Sequence, residues 1–229
     1  MGLAATFAWL GQWQLRRAAE SDALEDQFAA HADDRPLETL SDADADAGGD
    51  LRYRRVALHG RYLAQTQVLV DNMTHAGVAG YHVLTPFAAA EGGVVVVNRG
   101  FVPALDSRSE LPDVAVSAAE RTVRGRIDTF LAPALRLAAE NEGTGGAVQV
   151  LSFPDAEDLA RALGRPVAPY QILLDSAEPD GFVRAWAPSG IRAERNLAYA
   201  GQWFALSVAT IVAALGWLFK SRLRKRSGT

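Results

Sequence analysis

The hydrophobic pattern changes period along the chain, and each change marks a different kind of element. From Leu197 to Phe219 (LAYAGQWFALSVATIVAALGWLF) there is no Asp, Glu, Lys or Arg. At about 1.5 Å rise per residue the run reaches roughly 34 Å, longer than a hydrocarbon core of ~30 Å, and it predicts a transmembrane helix over 196–219. Its strongly apolar residues from Phe204 onward favour insertion by about 2 to 5 kcal/mol. Lys220, Arg222, Arg224, Lys225 and Arg226 follow at once. The positive-inside rule holds this basic tail, 220–229, in the cytoplasm and the preceding chain on the exterior. Tyr199 and Trp203 then fall at the outer interface and Trp217 at the inner one.

The N-terminal stretch Met1 to Leu15 (MGLAATFAWLGQWQL) is also apolar, with Trp9, Gln12, Trp13 and Arg16 at helical spacing. It predicts a first membrane helix whose exterior extension, RRAAESDALEDQFAAH, runs to His31 before Pro36 ends it. The apolar part to Gly11 covers only about 16 Å, roughly half a span, and no basic n-region or cleavage site marks a signal peptide. A domain ahead of one C-inside span reaches the exterior only if its own N-terminus directs it across, so the natural start is expected upstream. Arg16 and Arg17 run against the positive-inside tendency, and the tail must outvote them.

Between these helices, residues 32–195 switch to period two. Arg52–Tyr62, Gln67–Met73, Gly80–Phe87, Gly93–Asn98 and Arg121–Phe130 read as strands at hairpin-like spacing with Gly-containing turns. One helix, Ser152–Gly164, carries a Ser152 cap, acids in its first turn and a glycine stop. Tyr170–Asp175 reads as a last strand, and Gly143–Gly146 (GTGG) as an exposed loop. The expected class is an α+β membrane protein: an antiparallel β-rich domain, barrel- or sandwich-like, between an N-terminal and a C-terminal transmembrane helix. The acidic stretch 38–50 reads as a solvated loop. Asp42, Asp44 and Asp46 imitate a calcium loop, but Ala47 and Tyr53 stand where that loop needs Gly and Glu.

Charge and composition narrow the chemistry. The net charge of −4 conceals a basic tail with 5 of the 23 Lys+Arg and none of the 27 Asp+Glu, which leaves −9 for the rest. An acidic exterior argues against nucleic acid. No cysteine is present, which removes disulfides, zinc fingers, thiolate nucleophiles, iron–sulfur clusters and covalent haem. Two methionines are too few for a copper carrier. The chain has no nucleophile elbow, dinucleotide fingerprint, phosphate loop or zincin spacing, so an enzyme is not expected.

A few residues remain as candidates. His75 and His82 flank the link AGVAG; they suit axial haem ligation through neutral imidazole, or are strand and turn histidines satisfied by backbone, the weightier reading. Arg99, in Asn98-Arg99-Gly100 after VVVV, suits a haem propionate or partner carboxylate, or is a surface arginine at a hairpin or bulge, again the weightier reading. Tyr199 and Trp203, one turn apart, would face Trp13 or serve only as interfacial anchors. Ala200, Gly201, Ala205 and Ala209 are small residues of the kind that let membrane helices pack closely against a partner.

LGQWQLRR (10–17), YRRVALHGRYL (53–63), LVDNMTHAGVAGYHVLTPF (69–87), VVVNRGFVP (95–103) and NLAYAGQWFAL (196–206), collinear in this chain, resemble the surfeit locus protein 1 family of cytochrome c oxidase assembly factors. The resemblance implies two membrane helices joined by a large exterior domain in the cell membrane, both termini being cytoplasmic. It implies a non-catalytic factor that assists haem a insertion into a haem-copper oxidase, or stabilises its catalytic subunit, with haem a held transiently. The catalytic subunit would be the partner, with haem a synthase as a further candidate. That family usually carries Asn-His-Leu before the Tyr-Ala pair; here Arg195-Asn196-Leu197 stands, and a carboxamide is not an ordinary haem ligand. The alternative is a membrane-anchored exterior module that binds a ligand or protein and has no link to haem.

Overall fold

In the strand Arg55–Tyr62 (β1) the side chains of Val56, Leu58 and Tyr62 are buried, while Ala57, His59 and Arg61 between them point outward. That alternation is what a strand with one wet face requires. The computed structural model describes residues 2–31, 33–45, 51–107, 110–130, 146–186 and 193–226. They form two units: Met1–Ala29 with Ala187–Thr229, and Ala30–Trp186.

The second unit is built on seven strands: β1, β2 (Gln67–His75), β3 (Val78–Ala89), β4 (Val94–Pro103), β5 (Arg121–Asp128), β6 (Val148–Leu151) and β7 (Gln171–Leu174). Their order is β1-β5-β7-β4-β3-β2-β6, and a further β1–β3 pairing closes the first five into a barrel. The closure uses the length of β3: its first half pairs with β2 (Val68↔Leu84) and its end with β1 (Tyr62↔Phe87, Gly60↔Ala89). At Gly60 a Cβ would sit 2.1 Å from the Ala88 carbonyl oxygen, so only glycine permits that approach.

Of the expected antiparallel barrel or sandwich, the barrel is present, but its pairing is mixed. β4–β7 and β2–β6 are parallel, because β6 and β7 enter by long connections rather than hairpins. The four-residue β6 has no alternation to reveal it. VVVV in β4 is continuous for a physical reason. Val95 and Val97 join Val56, Leu58, Phe87, Val123, Ile127 and Ile172 inside the barrel. Val96 faces the other way, against Val68, Val70, Leu84, Leu151 and Leu159. A strand covered on both faces loses its polar half.

The covering helix α3 (Ala156–Leu163) is capped by Asp155, not Ser152. Asp158 N–H donates to the Asp155 side chain at 2.8 Å, Asp155 N–H donates back to Asp158, and Gly164 ends the helix at φ 65°. The reciprocal Asp-x-x-Asp pairing satisfies two otherwise orphaned amides. The acidic stretch departs from a solvated loop, since Leu40–Ala45 form a short helix (α2). Asp42 N–H donates to Thr39 Oγ1 and Thr39 N–H to the Asp42 carboxylate, and Ala43 is buried in the barrel cluster. Residues 46–50 of that stretch, and 143–145 of the GTGG loop, lie outside the described residues.

The first unit holds α1 (Gly2–Ala30) and α4 (Ala193–Arg226). Among the described residues α4 alone is long and apolar enough to cross a membrane. The expected first membrane helix has no such support in α1, whose apolar run ends at Arg16, Arg17 and Glu20.

Candidate functional site

Two groups of residues carry the candidate chemistry, one on each unit. On α1 the buried residues Ala4, Gly11 and Ala18 are seven apart, so they lie on one face. Asn196, Ala200 and Ser207 are buried on α4, at spacings of four and seven that also share a face. The helices meet there. Ser207 Oγ donates to the Ala4 carbonyl at 2.8 Å. Phe7 and Trp203 stack at 5.7 Å, and a Cβ on Gly11 would lie 2.8 Å from the Phe204 ring. Small residues bring the backbones close, and the Ser207 bond satisfies a hydroxyl where water is scarce.

This geometry divides the aromatic and small residues differently from the expected pairing. Trp203 packs on Phe7, not on Trp13. Trp13 is 44% exposed, and the Arg17 guanidinium lies 5.7 Å over its ring. Tyr199 is 43% exposed, and Gly201 faces open space, with nothing within 4 Å of a Cβ placed on it. Ala200 is consumed by the helix pair, whereas Gly201, Ala205 and Ala209 face outward. Asn196, the position where a histidine was expected from the resemblance, is 3% exposed and lies on the face turned to α1. Its place in the small-residue repeat was readable in the sequence, but only with α1 as a reference.

In the barrel, Arg99 is 2% exposed rather than at the surface. Its Nε–H donates to the Asp180 carbonyl at 2.7 Å, and Nη1 donates to Val114 O at 2.7 Å and Gln67 Oε1 at 3.0 Å. Longer bonds reach Thr85 Oγ1 and Ala115 O. The guanidinium lies 5.0 Å over the Phe182 ring and 5.9 Å over Tyr62. Burial pulls the Arg99 pKa below the usual arginine range and pushes that of Tyr62 up to about 12, so the phenol stays neutral. The signal missed in the sequence was polar: Gln67 and Thr85 stand at inward positions of apolar strands, where only a buried partner explains them.

The Asn98-Arg99-Gly100 segment is a bulge within β4, not a hairpin. The β3–β4 register shifts between His82 and Leu84, and Gly100 has φ 112°. A bulge re-aims the side chains around it. Asn98, two residues after Val96 and on the same side, faces away from the barrel interior, donating from Nδ2 to Gln171 Oε1 at 3.0 Å and to His82 Nδ1 at 3.4 Å, while Gly100 N–H donates to its Oδ1.

His82 and His75 both lie against Phe101, at 6.4 and 5.6 Å between ring centroids, and Trp186 packs edge-on to His82 at 5.8 Å. Burial, then the proximity of His75, lowers the His82 pKa, and an accepting Nδ1 belongs to the same neutral form. Beside it is a recess of about 20 Å³ lined by Val70, Leu84, Asn98, Phe130, Phe153 and Gln171. That holds about one water, so haem does not fit there. The Phe101 ring packs against both imidazoles, and the N–H groups of Arg99 are already directed to protein acceptors. No group of three or more carboxylates or imidazoles poised for a metal occurs among the described residues.

A His82 with a depressed pKa has a stated stability consequence. The unfolded chain binds a proton near pH 6.5 that the folded chain resists, so stability is fully present above that pH and falls as the pH drops through the folded pKa. Thermal midpoints should decline between about pH 7 and pH 5, and His82→Asn should flatten that decline. An unchanged slope would show that His82 titrates as it does in water.

A model of the SURF1 family matches residues 1–208. An uncharacterised SURF1-like protein of Mycobacterium tuberculosis is 34% identical over 98 residues, covering 42% of this chain and 36% of that protein. The matched stretch is thus about a third of the mycobacterial relative's length. A SURF1-like protein of Monosiga brevicollis is 27% identical over 241 residues (96% of this chain, 84% of that one). One from Caenorhabditis briggsae is 24% identical over 246 residues (97% and 74%).

Proposed function

The chain belongs to the SURF1 family, and from that premise we propose that it is a non-catalytic membrane assembly factor for a haem-copper terminal oxidase of the cytochrome c type. In this reading both termini are cytoplasmic and the barrel unit lies on the exterior face of the cell membrane. The protein assists haem a insertion or steadies the catalytic subunit while haem a enters, with haem a synthase as a second partner. No step is assigned to His75, His82 or Arg99.

The observation that carries the proposal is the division of labour on α4. Its α1-facing side is filled by Asn196, Ala200, Trp203 and Ser207, while Gly201, Ala205, Ala209, Leu206 and Val208 stay exposed on a helix apolar enough for lipid. Lipid tails give no hydrophobic drive between helices, so association rests on close packing at small residues. An exposed glycine–alanine row beside the occupied seam supports a second helix, that of an oxidase subunit, as its partner.

The test is complementation of a deletion strain. Loss of the protein should lower oxidase activity and haem a content together, and the wild-type chain should restore both. Gly201→Leu should restore expression but not activity, with co-purification of the catalytic subunit reduced at least about fivefold. A deletion strain with normal oxidase and haem a would refute the proposal and favour the alternative, an exterior binding module unrelated to haem.

A further inference from the structure

β2 and β3 turn at Ala76-Gly77, both at positive φ (49° and 82°), the two-residue hairpin turn that follows the twist of the strands. Residues directly opposite on paired strands share a face. The pairs His75↔Val78, Gly80↔Pro103 and His82↔Phe101 therefore gather His75, Val78, His82, Phe101 and Pro103 on one side of the sheet. Phe101 bridges to Val183, which joins the same side. Ala104 N–H donates to Ala79 O at 3.1 Å, so the pairing runs on past Pro103 and Leu105 follows next to the hairpin turn.

This end of the sheet is where the unit Ala30–Trp186 leaves its apolar side chains in the open. Among the described residues of that unit, the exposed large hydrophobic ones are Val78, Leu105 and Val183, between 43% and 51% exposed. Single exposed apolar residues are ordinary; three at one end of one sheet are not. The segments 76–83 (AGVAGYHV) and 100–105 (GFVPAL) contain no Asp, Glu, Lys or Arg, and charge resumes only at Asp106. Arg184, beside Val183, is turned to the carbonyls of Asp175 and Glu178. A wet sheet face carries polar side chains at alternate positions, and here they are missing.

We infer that this uncharged sheet face rests on the exterior leaflet of the membrane, with Val78 and Leu105 entering the boundary between headgroups and acyl chains. Chain continuity selects lipid as the occupant. Only residues 187–192 link Trp186 to the membrane-spanning helix α4, and even fully extended that link reaches about 25 Å. A tether of this length holds the face at high effective concentration beside the bilayer, so a small apolar area suffices. Trp186, edge-on to His82, belongs to the ring type that collects at membrane interfaces. A protein interface would carry about one hydrogen bond per 100–200 Å² and a polar rim, and this face offers few groups to supply them. The inference rests on the membrane anchoring of α4 and is independent of the oxidase.

The absence of cysteine allows one nitrobenzoxadiazole dye to be placed at a time on the full chain, through Val78→Cys, Leu105→Cys, Ala90→Cys or Leu215→Cys. Ala90 is exposed just past the opposite end of β3, roughly 35 Å away at ~3.3 Å per residue, and Leu215 lies within the span. In phosphatidylcholine liposomes, lipid bearing a nitroxide near its headgroup should remove at least about half of the emission at Val78 and Leu105. The Ala90 dye should lose less than about a tenth. Val78→Asp with Leu105→Asp should abolish quenching of a dye at Val183→Cys, the thermal midpoint being unchanged. Quenching at Leu215 alone would overturn the inference and leave the anchor standing, whereas quenching at none of the sites would overturn both. Equal quenching at Ala90 and Val78 would also overturn it. So would a Val78 dye shielded only after the oxidase catalytic subunit is added, which would assign the face to protein.

Discussion

Replacing Arg99 by methionine is expected to lower the thermal midpoint of the detergent-purified protein by about 6–20 °C. Methionine fills much of the volume but leaves the Val114 and Asp180 carbonyls without a donor, and Gln67 Oε1 with only the Thr85 hydroxyl at 2.9 Å. Each buried acceptor left unsatisfied costs about 1–3 kcal/mol, more when its donor was charged. Removing the cation returns part of its desolvation penalty, so a net loss of roughly 3–5 kcal/mol is the expectation. For a chain of this size that is about 2–4 °C per kcal/mol. Arg99→Lys keeps the charge but presents one point instead of a fork, and should recover less than half of the loss. A midpoint within about 3 °C of wild type in Arg99→Met would mean that the carbonyls find water and that the guanidinium is not what ties β4 to its neighbours.

The second large effect is expected at Gly11, where a side chain must enter the Phe204 ring. A Cβ there would already lie 2.8 Å from that ring, so leucine cannot be accommodated without moving the helices apart, and the Phe7–Trp203 stack and the Ser207–Ala4 hydrogen bond go with it. The chain contains no cysteine, which makes the readout clean. With cysteines introduced at Ala4 and Ser207, mild oxidation should join α1 to α4 after protease cleavage between the units. Adding Gly11→Leu should reduce that joining at least about tenfold. Gly201→Leu, on the open side of α4, should leave it unchanged while weakening partner docking. If both substitutions abolish cross-linking alike, the two faces of α4 are not separate, and the division on which the proposed function rests is lost.

Arg99 and Gly11 also mark the boundary of what was legible beforehand. Each looked ordinary in the linear pattern: an arginine beside a glycine after four valines, and a glycine in an apolar run. Their roles depend on groups far away in sequence, namely Asp180 and Val114 for Arg99 and Phe204 for Gly11. That Trp203 stacks on Phe7 was hidden for the same reason. Helical spacing says which residues share a face, but which face meets the neighbouring helix is decided by where small residues let the backbones approach. Ser152 lost the cap to Asp155 because the reciprocal Asp155–Asp158 pair satisfies two amides at once.

The chain's own order of residues was enough for whatever depends on near neighbours: the apolar reach of α4 and its basic end, the period-two strands of a barrel, the glycine stop of α3, and the absence of thiol, zincin and nucleotide-loop chemistry. The register and the parallel pairs, the inward turn of Arg99, the seam between α1 and α4 and the uncharged sheet face at Val78 came only with the tertiary structure. Those features arise where segments distant along the chain are brought within a few ångströms, and a local pattern carries the period of an element but not the identity of what will stand across from it.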